Sequence, residues 1–368
     1  MMKERLNVFV FINTLKLGGA EKQAIILSKV LKEYFDTKLI VYYGESYDEK
    51  YIELVEKYEI TTICLDGNHL QRIKEIYKLF KSNRNSITFS YLATTNVIAA
   101  FIGGLAGVRY RIGGIRSSRL NQFKFYVQRF LHNHLLTGSI FNNYSGKRYF
   151  IERGFNRKKS YVIPNCIPTS HRPIVQNKSG EVMHLLSVGR FVEEKDYETA
   201  IKAISFLKEK LKHGKIKTEI KYTIIGFGPL EKIIRKWCEK YNLTDTIEIV
   251  INPPNVMDYY QRSDIYLSTS LFEGLSNSIM EAMTHSLPVI ATDVGDNSKL
   301  VTDNENGCLV PVREPEIIGN KLYPLVIDRD KREQMGKMGY LHVMNNYTEE
   351  KFKKNYMHYI NMLVDDKK

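Results

Sequence analysis

The 368-residue sequence lacks long apolar runs and closely paired cysteines. Its longest apolar stretch, residues 97–108, contains three glycines and is shorter than the roughly 20 residues that a membrane-spanning helix needs. The four cysteines, at positions 64, 166, 238 and 308, are scattered without the spacing of a zinc or redox site. We therefore expect no transmembrane segment, free thiols and a cytoplasmic location.

Local motifs for metal binding or nucleophilic catalysis are also missing. The nine histidines show no metal-ligand spacing, since His132 and His134 would point to different faces of a helix. Asp328 and Asp330 form an Asp-x-Asp pair between two helical patterns, where helix capping explains them better. No local pattern supplies a Ser-His-Asp or Cys-His arrangement. The sequence predicts no metal ion and no cofactor.

Acidic residues are scarce relative to basic ones, which gives a formal net charge of +13. Segment 109–159 holds twelve lysines and arginines and one acid, Glu152. Within it, residues 121–136 interleave phenylalanine and tyrosine with Lys124 and Arg129, as expected for a basic aromatic helix lying on an anionic membrane. A core-packing helix with solvated charges is the alternative. Nucleic acid would also fit the charge, but no nucleic-acid motif accompanies it, and we predict none as a partner.

Short β-branched or aromatic runs alternate with helical patterns along the whole chain, which predicts an α/β protein with parallel sheets. The length suits two domains. We predict domains at 1–172 and 173–345, joined near the polar stretch 171–180, and a terminal amphipathic helix within 346–368.

Glu273 and Glu281 lie eight positions apart, the first in a turn broken by Gly274 and the second in the helix that follows. Two carboxylates in this arrangement can accept hydrogen bonds from separate hydroxyl clusters of a sugar nucleotide, while free amides at the helix start face its phosphates. A solvated glutamate beside a capped surface helix is the alternative.

Two basic residues follow the first predicted strand of the second domain. Arg190 can bind a diphosphate bidentately, and Lys195 adds a second positive charge from the same loop. Alternatively, both pair with nearby acids at the surface, which contributes about 0–1 kcal/mol per pair. The acids in question are Glu193, Glu194 and Asp196.

Glycines mark further strand-to-helix turns. Gly18 and Gly19 follow the first predicted strand, and Gly226 and Gly228 follow a later one, so backbone N–H groups there are accessible to an anion. Tight turns use such glycines routinely, so each pair alone is weakly specific. The first pair does not match the three-glycine dinucleotide fingerprint, which disfavours a nicotinamide dehydrogenase.

Together these motifs resemble the retaining glycosyltransferases of family 4. The resemblance spans nearly the whole chain and is most specific over residues 264–292, where Glu273, Glu281 and the Pro288-Val289 strand start fall in family register. It implies a GT-B fold, with two Rossmann-like domains facing across a cleft and a terminal helix that returns to the first domain. The first domain would bind the acceptor and the second the nucleotide sugar.

The resemblance also implies roles for individual residues. Arg190 and Lys195 would bind the diphosphate, Glu273 the hydroxyls of the donor sugar and Glu281 those of the ribose. Catalysis would rest on stabilising the departing diphosphate without a metal. The remaining predicted substrate contacts are Gly18, Gly19, Gly226, Gly228, Gly274, Leu275, Ser276 and Asn277.

Several positions depart from the family pattern. Residues 286–288 read Ser-Leu-Pro where the family usually has glycine before the Pro-Val strand, and residues 295–299 read Gly-Asp-Asn-Ser-Lys where it usually has Gly-Gly-x-x-Glu. A family histidine after the fifth strand is missing near Arg116, which we predict contacts substrate instead. The expected function is sugar transfer to a hydroxyl of a lipid-linked or polysaccharide acceptor in cell-surface glycan synthesis, at the inner face of the membrane. A nucleotide-sugar epimerase and a non-catalytic nucleotide-sugar-binding subunit are the alternatives.

Overall fold

A computed structural model describes residues 6–116, 120–168 and 182–365. The chain divides into two compact units. The first runs to Cys166 and resumes at Glu349, and the second runs from Ile167 to Thr348. The predicted linker at 171–180 lies outside the described residues.

The first unit contains a parallel sheet of seven strands in the order β3-β2-β1-β4-β5-β6-β7. Its strands are rich in Val, Ile, Phe and Tyr and are largely buried, as parallel strands covered on both faces require. The strands are β1 Asn7–Ile12, β2 Asp36–Val41, β3 Thr62–Cys64, β4 Ser86–Tyr91, β5 Tyr110–Ile115, β6 Gly138–Phe141 and β7 Ser160–Val162.

Seven α-helices cover this sheet. The last of them, near the end of the chain, buries Phe352, Tyr356, Tyr359 and Ile360 in the same apolar cluster as strands β1 and β4. These positions have the three-to-four-residue spacing of one helical face. The helices are α1 Gly19–Leu31, α2 Glu49–Lys57, α3 His69–Ser82, α4 Leu92–Ala106, α5 Gln122–Phe130, α6 Tyr144–Glu152 and α14 Glu349–Asp365.

The second unit repeats the architecture with six parallel strands in the order β10-β9-β8-β11-β12-β13. Apolar side chains fill both faces of this sheet, in one cluster around Leu185 and Ile224 and another around Leu186 and Met280. The strands are β8 Val182–Val188, β9 Glu219–Gly226, β10 Ile247–Ile251, β11 Ile265–Ser268, β12 Val289–Thr292 and β13 Gly307–Val310.

The described part of the second unit contains seven α-helices. Helix α7 is capped by Asp196, whose side chain accepts a hydrogen bond from the backbone N–H of Thr199, and α12 begins with Pro315. The helices are α7 Tyr197–His213, α8 Glu231–Lys240, α9 Met257–Arg262, α10 Asn277–Thr284, α11 Asn297–Leu300, α12 Pro315–Ile327 and α13 Arg329–Asn346.

The predicted α/β class and the two Rossmann-like parallel sheets are confirmed. Strands β6 and β13 were not predicted, because each is four residues long and begins with glycine. The predicted basic aromatic helix is present as α5, continued by a π-helical turn over Leu131–Leu135. Among the described residues, no helix combines the length and the apolar character needed to cross a membrane.

Candidate functional site

The second sheet has a topological switch point between β8 and β11. From β8 the chain moves outward to β9 and β10, and it then returns to the other side of β8 with β11. Loops after two such strands diverge and leave a crevice at their carboxyl ends, where open α/β sheets bind ligands. Lys195 follows β8 and Glu273 follows β11, so both predicted site residues lie on these two loops.

Lys195 and Glu273 are in direct contact. The Lys195 Nζ lies 2.5 Å from Glu273 Oε1, and the Ser270 hydroxyl donates to the same oxygen at 2.8 Å. The side chains of Lys195 and Glu273 are 20% and 13% exposed, so the pair is shielded from bulk water without being sealed from it. The carboxylate and the ammonium are therefore held in fixed positions at the switch point.

The two loops are also joined through their backbones. The Thr269 hydroxyl donates to the carbonyl oxygens of Lys195 and Asp196 at 3.0 and 2.9 Å. The Leu271 N–H donates to the carbonyl of Glu194 at 2.7 Å. Because these bonds do not involve the charged groups, they keep the loops together when either side chain binds a ligand.

Arg190 is exposed and forms no ion pair with any residue in the described ranges. Lys195 pairs with Glu273 and not with the acids beside it in sequence, Glu193, Glu194 and Asp196. The alternative in which both cations are neutralised by these neighbours is thus absent from the structure. The Arg190 guanidinium remains available to an anion.

Glu281 lies in α10, four residues inside the helix. The Tyr260 hydroxyl donates to its Oε2 at 3.3 Å, and the Tyr260 ring stacks on His285 with centroids 5.3 Å apart. Burial raises the pKa of Tyr260, and the nearby Glu281 carboxylate raises it further, so this phenol stays a proton donor. The ring thereby orients the Glu281 carboxylate. Gly274, Leu275, Ser276 and Asn277 form the turn that opens this helix.

Gly295 brings the loop after β12 against the Glu273 turn. Its φ of +60° lies in the left-handed region, and a Cβ at this position would stand 2.1 Å from the Glu273 carbonyl oxygen. The Asp296 N–H donates to the Gly274 carbonyl at 3.0 Å. The sequence predicted no structural role for Gly295, yet its lack of a side chain is what allows this contact.

Gly226 and Gly228 have a packing role. A Cβ on Gly226 would stand 1.9 Å from the Gly189 carbonyl oxygen, and one on Gly228, whose φ is +150°, would meet the Phe191 backbone. The turn after β9 can therefore lie directly on the loop that carries Arg190. Their predicted contact with substrate stays a prediction.

In the first unit, Gly18 and Gly19 lie where α1 begins after β1. The Tyr51 hydroxyl donates to the Gly18 carbonyl at 2.8 Å, which fixes this turn. A Cβ on Gly18 would stand 2.2 Å from the Glu21 carboxylate. The Glu21 side chain thus lies against this turn, at the carboxyl end of the first sheet, where ligands of such sheets bind.

Arg116 lies at the carboxyl end of β5. Its Nη1 donates to Asn165 Oδ1 at 3.3 Å, its Nη2 donates to the Tyr356 hydroxyl at 3.2 Å, and its guanidinium lies 4.1 Å from the centroid of the Tyr91 ring. These three neighbours carry no formal charge. Within the described ranges, no group of three or more His, Cys, Asp or Glu side chains is placed to share a metal ion.

The sequence of the chain is similar to those of several known proteins. Residues 172–342 match the family model described as "Glycosyl transferases group 1". The chain is 23% identical over 308 residues to the capsular polysaccharide biosynthesis glycosyltransferase CapH of Staphylococcus aureus, covering 80% of this chain and 83% of that one. It is 23% identical over 325 residues to the amylovoran biosynthesis glycosyltransferase AmsD of Erwinia amylovora, covering 86% and 88%.

Among solved structures, Anabaena HepE in complex with UDP-glucose is similar, with a TM-score of 0.80, 16% identity, and coverage of 97% of this chain and 100% of HepE. The two Rossmann-like parallel sheets and the likeness to HepE show that the chain has the GT-B fold. More specifically, its residues 172–342 form a glycosyl transferases group 1 domain.

Proposed function

We propose that the protein transfers a sugar from a nucleoside diphosphate sugar to a hydroxyl group of a lipid-linked or polysaccharide acceptor, with retention at the anomeric carbon. The observation that carries this proposal is the contact of Lys195 with Glu273 at the switch point of the second sheet. A cation for phosphate and an acceptor for sugar hydroxyls lie side by side there, as the two halves of a sugar phosphate require.

In this proposal Arg190 and Lys195 bind the diphosphate, Glu273 binds hydroxyls of the donor sugar and Glu281 binds the ribose. Bond cleavage leaves negative charge on the departing diphosphate, and the two cations stabilise that charge in the transition state. The ion pair with Glu273 keeps the Lys195 ammonium in position before the donor arrives, so little reorganisation is needed. No metal is required for this chemistry.

A role in cell-surface glycan synthesis is supported by CapH and AmsD, which are glycosyltransferases of capsular polysaccharide and amylovoran biosynthesis. A nucleotide sugar as donor is supported by HepE, which was crystallised with UDP-glucose.

A donor screen that measures release of nucleoside diphosphate tests the proposal. We expect release with at least one nucleotide sugar, and an increase when a glycan or lipid-linked acceptor is added. Conversion of the donor to a new sugar nucleotide without acceptor would identify an epimerase instead. Binding of nucleotide sugar without any acceptor-dependent release, across the screen, would identify a non-catalytic subunit.

We also propose that the protein is cytoplasmic and contacts the inner face of an anionic membrane through helix α5. Phe123, Tyr126 and Phe130 lie on one face of this helix and are 79%, 58% and 50% exposed. Lys124 and Arg129 flank that face, and the surrounding segment is strongly basic. Aromatic rings that enter the lipid headgroup region between cations suit an interfacial helix.

A further inference from the structure

The Arg116 side chain carries a positive charge that no described residue neutralises. Its hydrogen-bond partners are an amide oxygen of Asn165 and a hydroxyl of Tyr356, and the ring beneath it belongs to Tyr91. Burial raises the pKa of the Tyr91 phenol and of the nearby Cys166 thiol, so both stay protonated and neutral. The described residues that contact the cation are therefore neutral.

Arg116 has donors that no described residue uses. A guanidinium has five N–H groups, and within the described ranges two of its nitrogens donate, to Asn165 and Tyr356. The Nε is buried and has no hydrogen-bond partner among the described residues, although the side chain as a whole is partly exposed. A guanidinium held by neutral groups can donate its remaining N–H groups to the oxygens of an anion.

The position of Arg116 indicates where that anion comes from. The residue directly follows β5, next to the carboxyl end of β4 where Tyr91 lies, and this edge of a parallel sheet is where α/β domains bind ligands. The side chain is partly exposed, so a ligand can reach it. Arg72 in the same unit makes an instructive contrast, because it is buried and its charge is neutralised by Glu45 at 2.9 Å.

We propose that Arg116 binds a phosphate or diphosphate group of the acceptor, so that the acceptor substrate is an anionic, phosphate-bearing glycan carrier. The identification of the ligand as an acceptor rests on the proposed transferase function, whereas the anion site itself does not depend on it. The planar guanidinium presents paired N–H groups that match two phosphate oxygens, which an ammonium does not. Specificity for a charged acceptor would then be set in the first unit, independently of the donor site.

The test uses the full chain with Arg190→Ala and Lys195→Ala, which removes the proposed diphosphate contacts of the donor site. Thermal unfolding is measured against inorganic pyrophosphate, with sodium chloride at matched ionic strength as the control. We expect saturable stabilisation by pyrophosphate, and an apparent Kd about tenfold higher or more when Arg116→Gln is added. Arg72→Gln is the matched control and should leave the pyrophosphate Kd unchanged.

If the Arg116→Gln variant does not fold, Arg116→Lys replaces it, because it keeps the charge and loses the paired donors. Unchanged pyrophosphate binding in the folded Arg116 variant, or no stabilisation before Arg116 is changed, would overturn the inference. A purely structural Arg116 predicts a lower unfolding temperature with the same pyrophosphate Kd. The same measurement with an isoprenyl diphosphate distinguishes a lipid-borne diphosphate from free pyrophosphate. Tighter binding of the isoprenyl diphosphate indicates that the natural ligand carries a lipid.

Failure of the inference is separable from failure of the proposed function. If pyrophosphate binding depends on Arg116 but no acceptor is glycosylated, the anion site stands and the transferase proposal falls. If the unmodified protein releases nucleotide in an acceptor-dependent way but the Arg116 substitution leaves the pyrophosphate Kd unchanged, only the proposal of an anion site is refuted.

Discussion

Lys195 Nζ and Glu273 Oε1 lie 2.5 Å apart although the two residues are 78 positions apart in the sequence. The contact joins the loops after β8 and β11, the two strands that flank the switch point. A cation that is already paired and oriented needs little rearrangement to stabilise charge that develops on a neighbouring diphosphate.

Removal of either proposed phosphate-binding cation should slow the reaction without unfolding the protein. Lys195→Ala and Arg190→Ala are each expected to lower kcat by 10²–10³-fold, or about 2.7–4 kcal/mol, as loss of one transition-state donor commonly does. Lys202→Ala is the control, because Lys202 lies in α7 and forms a surface pair with Glu198 of the same helix. Steady-state kinetics beside thermal unfolding checks this, and near-normal kcat in either variant refutes the leaving-group role.

The Glu281 carboxylate should matter for nucleotide affinity more than for the chemical step. Glu281→Ala is expected to raise the Kd of the free nucleoside diphosphate by roughly 10- to 100-fold, since hydrogen bonds to a charged group contribute about 1.5–3 kcal/mol. Isothermal titration calorimetry measures this directly. Glu239→Ala, on the exposed side of α8, is the control, and an equal Kd in both variants would remove Glu281 from the ribose contact.

Gly295 should tolerate no side chain. Gly295→Ala forces a Cβ toward the Glu273 carbonyl and a left-handed conformation on alanine, so we expect stability to fall by more than about 1 kcal/mol and kcat to fall with it. Gly104→Ala, inside α4 with open space around it, should instead be neutral or stabilising by about 0.5–1 kcal/mol. Chemical unfolding gives the change in stability and activity assays give kcat for both variants. A Gly295→Ala variant as stable and active as Gly104→Ala would contradict the prediction.

The exposed aromatic face of α5 should govern membrane binding. Replacing Phe123, Tyr126 and Phe130 with serine is expected to reduce sedimentation with anionic vesicles strongly and to leave unfolding unchanged, because these rings contribute little to the core. Tyr47→Ser, at a similarly exposed position elsewhere in the first unit, should have no effect.

Binding should also weaken with salt and when basic side chains are neutralised, because surface charges are screened within about 10 Å at 0.1 M ionic strength. Full vesicle binding after neutralising the four cations would contradict the membrane proposal. The cations are Lys124, Arg129, Lys147 and Arg148.

The alternation of apolar runs with helical patterns was sufficient to predict two parallel sheets, because buried parallel strands read as continuous apolar segments. It failed for β6 and β13, where four residues starting with glycine carry too little of that signal. Strand order is a different kind of information. It depends on long-range pairing, so the sequence alone indicated which loops bear chemistry but not which of them meet.

The contacts within the site also depend on long-range pairing. Lys195 and Glu273 were predicted as separate ligand contacts from their local motifs, but their pairing and the Ser270 hydroxyl that joins them appear only once β8 lies beside β11. Gly226 was predicted as a substrate contact, whereas its lack of a side chain is already required by the Gly189 carbonyl. Close backbone packing of this kind leaves no periodic signal in the sequence.

The most direct test of the central claim is a crystal structure of the protein with a bound nucleoside diphosphate sugar. We expect phosphate oxygens within hydrogen-bond distance of Arg190 and Lys195, donor-sugar hydroxyls on Glu273, and ribose hydroxyls on Glu281. A ligand that binds elsewhere, or that leaves the Lys195 ammonium and the Glu273 carboxylate in contact only with each other, would contradict it.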